Sequence, residues 1–145
     1  MTTAKAVVKF VADDLFVGIT PGGRAIVLDT NSQRSSAPSP VELLLVALGS
    51  CTATDVASIL KKKRQHVTSY VVEISGERRA DYPRSYTSMT VHHIITGHSI
   101  SRVAVAHAIE LSDTKYCSVA DTLRPKVEIQ STFEIIEEPR QPFGE

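Results

Sequence analysis

The chain has 145 residues, 42% of them hydrophobic and 22% charged, enough apolar material for one ordinary core and too much for a disordered chain. Lys+Arg and Asp+Glu stand at 16 each, so the formal net charge is zero. No excess of basic residues points to nucleic acid or an anionic membrane as partner, and neutrality offers little protection against self-association.

Residues 1–14 carry charges within their apolar stretch, and the longest apolar run, residues 43–48, is far shorter than a bilayer span. A cytoplasmic location is therefore expected, with both cysteines reduced by default and any pairing between them transient.

Three strands open the chain, over residues 5–11, 15–20 and 25–29. The turn Thr20-Pro21-Gly22-Gly23 joins the last two: proline presets one dihedral and glycine tolerates positive φ. A polar, proline-punctuated loop spans residues 31–40. A long helix follows over residues 40–64, with Ser39 as N-cap, Pro40 as first helical residue and Glu42 as capping-box partner. Lys61, Lys62, Lys63 and Arg64 complement the negative end of its dipole.

Two long β-stretches, residues 67–78 and 85–96, read as a twisted hairpin. A helix over residues 101–111 is broken at Ser112-Asp113-Thr114, and a short helix over residues 116–123 carries Cys117. Residues 127–136 alternate and form a closing strand, and the tail at residues 137–145 is polar and loosely held. The order βββ-α-ββ-αα-β defines a single α+β domain over residues 1–145. The long helix is apolar on every side of its first turns except at Glu42, and at about 36 Å it is too long for one small sheet to surround. An intertwined homodimer is the expected remedy.

The chemistry rests on Cys51 and Cys117. Cys117 opens a short helix after Lys115, and helix amides and a lysine both favour a thiolate. Cys51 lies in the small-residue patch Gly49-Ser50-Cys51-Thr52, which leaves room for approach to the sulfur. Metal binding fits poorly. There is no CxxC, His92 and His93 point to opposite faces of a strand, and His66, His98 and His107 stand singly. Nor is there a nucleophile elbow for a hydrolase.

The segment Ser39-Pro40-Val41-Glu42-Leu43-Leu44-Leu45-Val46-Ala47-Leu48-Gly49-Ser50-Cys51, taken with Lys115-Tyr116-Cys117-Ser118-Val119, resembles the paired signatures of the OsmC/Ohr superfamily. The resemblance covers nearly the whole chain. It implies an OsmC-like intertwined homodimer with sites at the subunit interface, and thiol-dependent reduction of organic hydroperoxides as a defence against oxidative stress. By matching position, Cys51 is the peroxidatic cysteine and Cys117 the resolving one. No cofactor is implied beyond an external dithiol.

In that family an arginine from the loop before the helix activates the peroxidatic sulfur, held by a glutamate near the helix start. Arg34 is the matching candidate and Arg24 the runner-up. The peroxidase branches place the glutamate ten positions before the cysteine, where this chain has Val41. Glu42, nine before, faces away from Cys51. Asp55, one turn after Cys51, is the other carboxylate that can hold the arginine; left unpaired it would work against a thiolate.

Leu43, Leu44, Val46 and Tyr116 supply an apolar lining for a small apolar hydroperoxide. Two other readings stay open: a non-catalytic protein binding an apolar small molecule, and a thiol redox sensor.

Overall fold

The computed structural model describes residues 2–139. Most of the expected tail, residues 140–145, lies outside them. The elements run β1 (Val7–Ala12), β2 (Leu15–Ile19), β3 (Ala25–Asp29), α1 (Pro40–Lys62), β4 (His66–Arg78), β5 (Tyr86–His98), α2 (Arg102–Leu111), a π-helical segment (Ser112–Tyr116), α3 (Ser118–Leu123) and β6 (Glu128–Glu137). The fold is α+β in the expected order. The chain divides into two compact units, residues 1–44 and 45–145.

The first unit is an antiparallel meander, β1-β2-β3. Its second turn forms as the sequence requires. The Gly23 amide donates to the Thr20 carbonyl at 2.8 Å, and Gly23 sits at φ +80°, a conformation closed to most side chains. Among the described residues of this unit only Asp29 is buried. Val8, Phe10 and Val11 are exposed. The capping box that begins α1 is complete: the Ser39 amide donates to Glu42 Oε1 at 2.9 Å, and the Glu42 amide to Ser39 Oγ at 3.2 Å. The helix ends where Arg64 turns to φ +56°.

The second unit is the sheet β4-β5-β6 with helices on one face. The hairpin strands β4 and β5 have 13 residues each, and β6 lies parallel to β5 on its far side, with Val91 opposite Ser131 and His93 opposite Phe133. Alternation decides the buried face: Met89, Val91, His93 and Ile95 are all buried. Val56 and Leu60 of α1 and Val105, Ala108 and Ile109 of α2 close over Ile95 in one apolar cluster.

By length and mean hydropathy α1 could cross a bilayer, although no uninterrupted apolar run in it is long enough. Here one stripe of it is buried, through Leu48, Gly49, Thr52, Val56 and Leu60. A Cβ added to Gly49 would stand 2.2 Å from Ile74 Cδ1, so glycine sets how closely α1 approaches β4. Of the small-residue patch 49–52, Gly49 thus faces β4, with Ile74 filling the space beside it.

Candidate functional site

Cys51 opens the fourth turn of α1 and is half-buried, while Cys117 is 4% exposed. Neither forms a disulfide. The approach to Cys117 is not a simple helix break. The segment after α2 keeps turning but takes one extra residue, so the Cys117 amide reaches back five positions to the Ser112 carbonyl at 2.9 Å. Cys117 then caps α3, its Sγ accepting the Ala120 amide at 3.4 Å.

The two thiols lie near enough for Cys51 to act on Cys117 electrostatically. Burial first, and then the neighbouring Cys51, push the Cys117 thiol up to about 11, against the smaller opposing pull of the α3 amides. The expectation that helix position and Lys115 make Cys117 a ready thiolate is therefore overturned, because desolvation outweighs the helix terminus. Lys115 instead stacks its ammonium 5.3 Å from the centre of the Tyr116 ring.

The three residues expected to support Cys51 have partners of their own. In the first unit, Arg34 donates from Nε to Asp29 Oδ2 at 2.8 Å and from Nη2 to Asp29 Oδ1 at 2.9 Å and the Asp13 carbonyl at 2.5 Å. The carboxylate that holds Arg34 is thus Asp29, which also accepts from Ser36 Oγ at 2.6 Å and from the Ser36 and Asn31 amides. The Arg34 guanidinium, followed by Ser36, holds the Asp29 carboxyl well below the usual carboxylate range. Glu42 is engaged in its capping box, and the Ser39 bonds lower its pKa. In the second unit, Asp55 Oδ2 accepts from Ser112 Oγ at 2.9 Å.

Two features escaped the sequence. Ser112 reads in the sequence as part of a helix break. Yet it follows Val105, Ala108 and Ile109 on the buried stripe of α2, where a hydroxyl needs a partner. His93 is a strand residue, and alternation with Val91 and Ile95 places it on the apolar, buried face of β5. Its Nδ1 lies 2.7 Å from the Tyr70 hydroxyl, and Nε2 is buried without a partner among the described residues. Burial, with His92 next to it, pushes His93 down to about 4. Burial also raises the Tyr70 pKa, with Asp55 adding to the effect. His92, on the opposite face, meets Thr132 and Glu134.

A groove of about 380 Å³ opens beside both cysteine-bearing segments, lined by Asp55, Ile59, Lys62, Lys63, Leu111 and Tyr116. Of the expected apolar lining, Tyr116 borders this groove and is half exposed, as is the α1 residue Val46. Leu44 is also exposed and Leu43 half-buried.

A mixed α+β chain in the order βββ-α-ββ-αα-β has the fold of OsmC-like proteins. The sequence profile of the OsmC-like protein family matches residues 32–132, and the chain belongs to that family. Protein YhfA of Escherichia coli strain K12 is 43% identical over 132 residues, covering 91% of this chain and 98% of that protein. The crystal structure of a hypothetical protein from Aquifex aeolicus VF5 superposes with a TM-score of 0.84 at 29% identity, covering 96% of this chain and 100% of that one. An organic hydroperoxide resistance protein, OsmC, from Legionella pneumophila shares the fold with a TM-score of 0.68 at 13% identity, over 92% and 98% of the two chains.

Proposed function

We propose that this protein is a thiol-dependent peroxidase that reduces organic hydroperoxides through Cys51 and Cys117. The observation that carries the reading is a pair of thiols near enough to influence each other, with Cys51 half-buried and Cys117 buried and held protonated.

In the first step the Cys51 thiolate attacks the outer oxygen of ROOH. The O–O bond breaks, ROH leaves after taking a proton, and Cys51 becomes a sulfenic acid. The Cys117 sulfur then attacks the Cys51 sulfur, losing its proton as water departs, and a disulfide forms. An external dithiol reduces that disulfide by exchange and is itself oxidised. A high Cys117 pKa suits the resolving role, since that sulfur stays a thiol until the sulfenic acid beside it is formed.

Arg34 is the proposed cation for the Cys51 thiolate, with Asp29 holding its guanidinium in place of a glutamate. Arg34 Nη1 has no hydrogen-bond partner among the described residues, which leaves a donor for an anion. Under this reading neither Glu42 nor Asp55 contacts the arginine.

The working form is proposed to be a homodimer. Val8, Phe10, Val11 and Val27 of the meander are 51–68% exposed, as is Val46 of α1 at 60%. A three-stranded sheet with a single buried residue needs another surface to be stable, and a second copy supplies it. A cytoplasmic location fits thiols that must return to the reduced state.

The test is consumption of cumene hydroperoxide with dithiothreitol as reductant. Wild type should turn over and Cys51→Ser should not. Equal rates for the two proteins would rule the reading out.

A second reading, a non-catalytic binding protein for an apolar small molecule, draws on the largely apolar groove beside Tyr116 and Leu111. It predicts that alkylating both cysteines leaves binding of an apolar fluorescent probe intact.

A further inference from the structure

Ser112 is fully buried at the junction of α2 and the π-helical segment, and it bonds in both directions. Its carbonyl accepts the Cys117 amide at 2.9 Å. Its Oγ donates to Asp55 Oδ2 at 2.9 Å and lies 3.0 Å from Thr52 Oγ1. A carboxylate only accepts, so the single Ser112 hydroxyl proton goes to Asp55 and the Thr52 hydroxyl must donate to Ser112. The resulting chain, Thr52 to Ser112 to Asp55, begins and ends on α1. Thr52 adjoins Cys51 and Asp55 lies one turn beyond it.

Two further bonds hold the same segment. Arg124 Nη1 donates to the Asp113 carbonyl at 2.8 Å, and Thr114 Oγ1 to the Glu110 carbonyl at 2.8 Å. Among the described residues, the hydrogen bonds from the segment to the helix that carries the other cysteine are those of Ser112. A plain α-helical continuation would have sent the Cys117 amide to Asp113; the extra residue sends it to Ser112 instead.

We propose that Ser112 is a positioning residue for the thiol pair: by bracing the Ser112–Tyr116 segment on Thr52 and Asp55 it fixes the separation of the Cys51 and Cys117 sulfurs. A disulfide tolerates little error in that separation. Both hydroxyls of the brace are buried, Thr52 at 2% exposure and Ser112 at 0%, so losing one member strands the others and loosens the whole. The inference rests on the redox reading of the pair, but its test requires no peroxide.

The experiment equilibrates the full chain with glutathione. Protein dithiol plus glutathione disulfide gives protein disulfide plus two glutathione thiols, and the equilibrium constant is the effective concentration of one cysteine at the other. Ser112→Ala should lower it about tenfold. Thr52→Val, which keeps the shape and removes the donor, should lower it in the same direction. Val105→Ala, destabilising through the apolar cluster, should leave it at the wild-type value.

Brace variants that match wild type, or that fall only as far as Val105→Ala, would overturn the proposal while the redox reading stands. A wild-type chain that forms no intramolecular disulfide at any glutathione ratio would overturn both.

Discussion

Arg34 and Asp29 form a bidentate pair, Nε to Oδ2 at 2.8 Å and Nη2 to Oδ1 at 2.9 Å, in which the carboxylate is 2% exposed. Asp29 also draws in Ser36 and the Asn31 amide, so it organises the whole loop that follows β3. Asp29→Ala should therefore lower the urea midpoint more than Arg34→Gln does, because it strands an arginine, a serine and two amides together. The pH dependence has a definite sign. The carboxyl is depressed by Arg34 and Ser36, so its contribution is present above the unfolded pKa near 3.8 and is lost as pH falls below it. Urea titrations of wild type and Asp29→Asn at several acid pH values check this: the two curves should converge only in strong acid.

His93 contributes in a different window. Burial holds its folded pKa near 4, below the unfolded 6.5. The unfolded chain then binds the proton first, and stability falls as pH drops from 6.5 through 4, by up to about 3 kcal/mol. In NMR spectra the His93 ring should show no titration between pH 6 and 8. A midpoint near 6.5 would contradict the buried, neutral ring.

For Cys117 the sign is reversed. Its folded pKa of about 11 lies above the usual 9.0, through burial first and Cys51 second. The stability it contributes is present below pH 9 and lost as pH rises towards 11. In Cys51→Ser, alkylation of Cys117 by iodoacetamide should be slow at pH 8 and still rising at pH 10, measured by mass spectrometry. A rate that levels off below pH 8 would mean a low-pKa thiol after all.

At Gly49 the contact with Ile74 sets the effect. Gly49→Ala places a methyl 2.2 Å from Ile74 Cδ1 and 2.9 Å from Cγ1, and should cost about 1–3 kcal/mol. Added to Ile74→Ala, the same change should cost far less, because the space is then open. Chemical denaturation of the two single variants and the double one measures the coupling.

What the sequence revealed follows from where its signals are local. The Ser39–Glu42 box and the Gly23 turn each need only neighbours, and both formed as expected. The two β-rich stretches located β4 and β5 within two residues at each end. The supporting groups around the cysteines were harder, since Ser112 finds Asp55 57 positions away. Helical periodicity puts Ser112 on the buried face of α2 but does not say which carboxylate meets it. Likewise a helix-opening cysteine suggests a thiolate, and only the packed structure reveals that Cys117 is desolvated enough to reverse that.

The central claim is that peroxide oxidises Cys51 and that Cys117 resolves it. The direct measurement is the intact mass and peptide map of the protein after one equivalent of cumene hydroperoxide. Wild type should lose two hydrogens and yield a peptide joining Cys51 to Cys117, and Cys117→Ser should instead gain one oxygen at Cys51. A protein that keeps both thiols, or that gains its oxygen at Cys117, would contradict the account.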